Sequence, residues 1–174
     1  RCFQPKKIHV NHDEIGIVNS DSRCQRRGLQ DYELIAYQIN RMHEIIKKCD
    51  ANVDMIMWAD AVNPYHNAGK KNLEKTCDLL DRDIIMAHWY YAAENFEQVD
   101  LLELGAKFFI DRGFRTYGCP WDNLVNHQAW EKVLANYRSQ PLMNGLMHTQ
   151  WGDRDQGLAQ TAASNWEETS WVRK

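Results

Sequence analysis

Residues 7–14 read KIHVNHDE: a short β-prone run over 7–11 (KIHVN) leads into two adjacent carboxylates, Asp13 and Glu14. A strand that opens a nucleotide-binding parallel sheet usually runs into a glycine-rich turn, because its backbone must approach a phosphate closely. Here Asn11, His12, Asp13 and Glu14 fill that place instead. Polar residues at the C-terminal end of a strand are what a (β/α)8 barrel uses to build an active site. The run therefore favours a barrel over an open, doubly wound sheet.

The rest of the chain extends the pattern. The spacing predicts a helix over 31–49, with Leu34, Ile35, Ile39, Met42, Ile45 and Ile46 on one face. A second strand is expected at 53–58 (VDMIMW), a turn at Asn63-Pro64 and a helix near 73–81. A third strand is expected at 84–89 (IIMAHW), then a helix over 95–112 that Gly113 terminates. A fourth strand at 114–118 (FRTYG), a helix over 126–139, a fifth strand at 144–150 (NGLMHTQ) and a last helix over 156–166 complete the series. The β-α units recur about every 30 residues with no hairpin signal, which points to parallel strands joined by crossover helices. The expected fold class is α/β, a partial (β/α)8 barrel, with residues 1–174 as a single domain.

Composition narrows the function. The 174 residues are 44% hydrophobic and 26% charged, with a net charge of -3. That balance disfavours a nucleic-acid surface, which needs a basic face to release counterions. It equally disfavours a polybasic membrane contact, and no apolar run approaches the roughly 20 residues that span a bilayer. No charged-then-apolar leader is visible before Lys6. The five cysteines (Cys2, Cys24, Cys49, Cys77 and Cys119) are odd in number and widely spaced. This favours a reducing, cytoplasmic setting over a disulfide framework, and leaves a processed or secreted chain open.

Seven Trp and seven Tyr in a chain of this length point to a cleft that binds flat apolar faces. Sugar rings present such faces. The aromatic residues also recur at the strand ends. The first strand ends at Asp13 and Glu14, the second at Trp58 and Asp60, and the third at His88, Trp89 and Tyr90. The fourth ends at Tyr117, with Trp121 and Asp122 beyond, and the fifth at His148, Trp151 and Asp153. Trp130, Trp166 and Trp171 sit in helical patterns and read as packing or surface. His9, on its strand, reads as a hydrogen-bonded core histidine.

These segments resemble the β-N-acetylhexosaminidases of glycoside hydrolase family 20. That family typically ends its fourth barrel strand with His-x-Gly-Gly-Asp-Glu, and residues 9–14 are HVNHDE. MIMWADA (55–61) and IIMAHWYY (84–91) resemble the fifth- and sixth-strand segments. TYGCPW (116–121) falls where the family has its seventh-strand Tyr, and GLMHTQWGD (145–153) resembles the eighth-strand Trp-Gly-Glu. The resemblance spans nearly the whole chain and assigns its five units to strands 4–8. Asn11 and His12 replace the paired glycines, Cys119 lies near the place of an expected acidic residue, and Asp153 replaces a Glu.

The resemblance implies hydrolysis of terminal N-acetylhexosamine residues by a retaining, substrate-assisted route, with no cofactor and no metal. Adjacent carboxylates suit that route, because the substrate's own acetamido oxygen replaces the protein nucleophile. Glu14 would be the acid and base, Asp13 would orient the acetamido group, and Tyr117 would donate to its oxygen, with Tyr90 as an alternative donor. Trp58, Trp89, Tyr90, Trp121 and Trp151 would bind the sugar, and Asp153 a hydroxyl. The expected partner is an N-acetylated amino-sugar glycoside. The missing N-terminal barrel half, or an oligomeric partner, would cover the open sheet edges. Two alternatives stand beside this reading: a non-catalytic carbohydrate-binding or scaffold module, and a metal-dependent barrel hydrolase using His9, His12 and Asp13.

Overall fold

Five short strands, β1 (Lys7–His9), β2 (Asp54–Trp58), β3 (Ile85–Trp89), β4 (Thr116–Cys119) and β5 (Met143–Leu146), form one parallel sheet. Their order is β1-β2-β3-β4-β5, so each strand pairs with its sequence neighbours. The computed structural model describes residues 4–70, 72–91, 99–121 and 123–151. The expected helix over 156–166, Asp122, Asp153, Trp166 and Trp171 lie outside them.

Among the described residues five α-helices follow or join the strands: α1 (Ser22–Gln25), α2 (Asp31–Cys49), α3 (Thr76–Leu79), α4 (Val99–Ile110) and α5 (Leu124–Asn136). The periodic segment over 31–49 forms α2 with those bounds. Gln30 and Glu33 make a capping box at its start, and Lys47 and Lys48 sit in its last turn, where the helix dipole favours cations. Asn123 caps α5 by accepting from the Val125 N–H, so this helix begins two residues earlier than its apolar pattern indicates. Gly113, at φ +83, ends the α4 segment. The expected helix near 73–81 is instead a 3-10 turn (Leu73–Lys75) followed by the single turn of α3. Asn40 of α2 holds this stretch from both sides, donating to the Leu79 carbonyl and accepting from the Asp81 N–H.

The two faces of the sheet differ. Met55, Met57, Ile84 and Met86 pack with Ile35, Ala36 and Ile39 of α2 and Phe109 of α4. Leu146 of β5 packs with Leu102 and Ala106 of α4 and Ala129, Trp130 and Val133 of α5. The opposite face carries Ile56, Trp58, Ile85, Ala87 and Cys119, all buried, with Trp89, Tyr117 and Met147 against them and no helical residue in the group. The helices that pack on the strands thus share one face. This accounts for strands that read as near-continuous apolar runs, since both faces are buried. A doubly wound sheet would carry helices on both faces and reverse its strand order; the described strands do neither. The arrangement is compatible with part of a β/α barrel.

Close approach fixes the helix layer. A Cβ on Gly118 of β4 would lie 2.5 Å from the Trp130 ring of α5, so glycine is what lets that indole approach the strand so closely. At the N-terminal end of the sheet, Asp54 accepts two bonds from the Arg115 guanidinium at 3.0 Å and pairs with Lys7 at 3.2 Å. Arg115 also reaches Asp83 at 3.1 Å, linking three strands through one side chain. Among the described residues no helix is long and apolar enough to cross a membrane.

Candidate active site

The expected first strand stops at His9 because the chain leaves the extended region. Asn11, His12 and Glu14 have φ of 61°, 78° and 49°, the left-handed region that L-residues avoid. Asparagine tolerates it; a histidine there is uncommon. Local bonds hold the turn. The Asn11 N–H donates to His9 Nδ1 at 3.1 Å, and His12 Nδ1 lies 3.1 Å from the Val10 carbonyl. The Asn11 carbonyl accepts from the Trp58 N–H at 2.9 Å, which ties the turn to the end of β2.

This turn presents Asp13 and Glu14 as exposed residues beyond the C-terminal end of β1. Burial holds the His9 imidazole below its ordinary pKa, and the neighbouring Asp13 carboxylate partly opposes that shift. His9 Nδ1 is occupied as an acceptor, so the neutral ring carries its proton on Nε2. That ring meets Trp58 with centroids 4.4 Å apart and planes tilted by 56°, on the face away from the helices.

Asp60 joins the carboxylate turn to the aromatic wall. It lies two residues past β2 and is 0% exposed. Its Oδ2 accepts from the Glu14 backbone N–H at 2.8 Å and from Asn67 Nδ2 at 2.7 Å. Its Oδ1 accepts from Trp89 Nε1 at 3.1 Å. A buried carboxylate needs such donors, and this one draws them from the ends of two strands and from its own loop. His66, from the same loop, packs edge-on against Trp89 at 4.3 Å.

The aromatic wall continues across the sheet. Trp89 meets Tyr91 at 4.8 Å, and Tyr91 meets Trp121 at 5.6 Å. Trp151 meets Trp58 at 6.1 Å. The Trp151 Nε1–H donates to the Tyr91 hydroxyl, which bonds the Thr149 hydroxyl, each at 2.8 Å. Thr149 in turn donates to the Pro120 carbonyl at 2.8 Å. Burial raises the Tyr91 hydroxyl pKa, keeping it protonated. Trp58 is buried, whereas Trp121 is 38% and Trp151 59% exposed, so the wall grades from an enclosed floor to an open rim. Asn126 of α5 braces this rim by accepting from the Trp121 N–H and donating to the Tyr90 carbonyl.

The expected site residues are distributed unevenly. Trp58, Trp89, Trp121 and Trp151 belong to the wall. Tyr117 lies on the same face, beside Trp58 and Cys119. Tyr90 packs instead against the group built on Leu102, Ala106 and Trp130, because consecutive residues at a strand end turn to opposite faces. Tyr91 takes its place on the rim. His88 also turns to the helix side: fully buried, it bonds the Leu102 carbonyl at 3.1 Å, and burial pushes its pKa down to about 3. Cys119 is buried, with its thiol pKa raised by burial, and supplies no carboxylate to the site.

Among the described residues no group of three or more His, Cys, Asp or Glu side chains is arranged to hold a metal ion. Asp60, Tyr91, Asn126 and Thr149 were not assigned roles from the sequence. Only Asp60 carried a signal, as an acidic residue two positions after a strand-end Trp. The chain matches no known family model and no curated protein.

Proposed function

We propose that this chain carries strands 4–8 of a (β/α)8 barrel that hydrolyses terminal N-acetylhexosamine residues from glycosides once the covering β-α units are present, the chain alone being weakly active or inactive. The barrel reading rests on the sequential strand order and the one-sided helix layer, since right-handed crossovers between sequential neighbours place every helix on one face. One observation carries the functional reading. The Asp13-Glu14 turn and the wall of Trp58, Trp89 and Trp151 lie at the same, C-terminal end of the sheet, tied together through Asp60. The resemblance of residues 9–14 and of the strand-end Trp segments to the family's motifs supports the same reading.

The substrate's acetamido oxygen attacks the anomeric carbon as Glu14 passes a proton to the leaving oxygen. Asp13 accepts the acetamido N–H and stabilises the oxazolinium ion. Tyr117 donates to the acetamido oxygen; Tyr90 packs toward the helices and Tyr91 is already bonded to Thr149 and Trp151, so neither competes for that role. Glu14 then takes a proton from the attacking water, and the configuration is retained. The Trp wall excludes water from the ring, and Asp153 binds a hydroxyl. Glu14→Gln is expected to lower turnover of an aryl N-acetylglucosaminide by 10²-fold or more while binding persists. Unchanged turnover removes Glu14 from this role.

Cys119 favours a second reading, a carbohydrate-binding module without turnover, because a buried thiol stands near the place of an expected carboxylate. N-acetylglucosamine binding with no hydrolysis at any pH selects it.

The proposed frame needs a partner at β1. The Lys6 carbonyl and the Val10 N–H face β2, so in a parallel strand the N–H and C=O groups of Lys7 and His9 face the open edge. Between the segment that follows β1 and helix α2 lies a cavity of about 450 Å³ lined by Ile15, Ile17, Val18, Leu34 and Tyr37. The upstream barrel units, or a second subunit, cover both.

A further inference from the structure

We infer that Asp60 is the positioning residue that sets the distance between the Glu14 turn and the Trp89 wall. The inference rests on the hydrolase reading for its catalytic consequence, but the coupling itself is a property of the fold. Three facts combine. Asp60 is completely buried, and its two oxygens receive three N–H donors. One donor is the backbone of Glu14 itself, in a turn whose φ of 49° needs support. Another is the indole of Trp89, the ring that would face the sugar.

Asp60 touches neither the sugar nor a reacting atom in this scheme; it acts through the two groups that do. The 3-10 turn Asp60–Val62 fixes its backbone, with the Asn63 and Asn67 N–H groups both bonded to the Asp60 carbonyl. Side chain and main chain of one residue are therefore held independently, and neither can shift without breaking several bonds. The gap between the turn and the Trp89 ring sets the width of the sugar slot on that side. The inference thus names Asp60 as a determinant of how Glu14 is aimed at the leaving oxygen. Without that carboxylate the Glu14 N–H and the Trp89 Nε1–H lose their shared acceptor.

Two variants test this beside the wild type, with the covering β-α units present. Asp60→Asn keeps the shape but brings an N–H₂ group against the converging donors. Trp89→Phe keeps a ring and removes one donor. Hydrogen exchange followed by NMR reads the Glu14 amide and the Trp89 indole directly. Both are expected to be slowly exchanging in the wild type. In Asp60→Asn both should speed up together by 10-fold or more, while core amides of β2 and β3 keep their protection. In Trp89→Phe the Glu14 amide should also speed up, because it loses a co-anchored partner.

Turnover of an aryl N-acetylglucosaminide reads the consequence. The kcat of Asp60→Asn should fall about 10²-fold with KM within about twofold, as expected for a misplaced catalytic group. Unchanged exchange at Glu14 and Trp89 in Asp60→Asn overturns the inference, and so does unchanged kcat in an active protein. With the covering β-α units present, a wild-type protein that neither binds nor cleaves the sugar removes the hydrolase reading alone, and the exchange data then decide the coupling by themselves.

Discussion

His12 sits at φ 78° in a turn where the resembled family has glycine. The left-handed region costs an L-residue about 1–2 kcal/mol, and a β-branched side chain tolerates it least. Substitution should therefore rank stability as Gly at or above His, and His above Val, with His12→Val lowering it by about 1–2 kcal/mol in urea denaturation. Equal stability of His12→Val and wild type would show that the turn relaxes at no cost. His88 makes a prediction of opposite character. Its pKa falls from an ordinary 6.5 to about 3 because burial disfavours the cation. A base with a depressed folded pKa binds more protons when unfolded. Its contribution is complete above about pH 6.5 and is lost as pH falls toward 3. Urea midpoints measured across that interval should decline, and His88→Gln should flatten the decline. The sequence marked His88 only as a strand-end residue, because period-two alternation does not say which face meets helices until the partners are known.

At the scale of elements, the strands and long helices were legible because each carries its own signal. Helix α2 has period, capping box and terminal lysines in agreement, and its bounds match the apolar pattern. The 73–81 segment lacks such agreement: Asn72 enters it at φ 54° and Asn40 of α2 holds its far end, so a tertiary tie overrode the local pattern. Two contacts between elements can be tested. Gly118→Ala drives a methyl group into the Trp130 ring and should cost about 1–3 kcal/mol, read as a lower thermal midpoint. The Arg115 guanidinium beside Asp54 holds that carboxyl down to about 2. A depressed carboxylate pKa stabilises the fold fully above its unfolded value near 3.8, and that contribution is lost as pH falls to about 2. Arg115→Met should lower stability by about 1 kcal/mol at neutral pH, the pair being partly exposed, and the difference should vanish near pH 2.

On the whole-molecule scale, five sequential parallel strands with helices on one face present a wall of aromatic rings and a carboxylate turn at one end. The sequence carried the carboxylates and the tryptophans. It did not carry the bonds that assemble them, since Asp60, Asn126 and Thr149 are ordinary polar residues until folding brings their partners near. The exposed positions of Asp13 and Glu14 and the open edge of β1 fit a frame that other β-α units complete. Sedimentation of the isolated chain should accordingly show association or partial unfolding; a compact, stable monomer argues against an incomplete frame. Substrate-assisted hydrolysis at Glu14 requires the acetamido group of the substrate, which a matched pair of glycosides probes. Hydrolysis of an aryl N-acetylglucosaminide is measured beside that of the matching aryl glucoside, which lacks the acetamido group, with the covering β-α units present. The account predicts turnover of the first alone, lost in Glu14→Gln. Equal cleavage of both glycosides, or turnover untouched by Glu14→Gln, would contradict it.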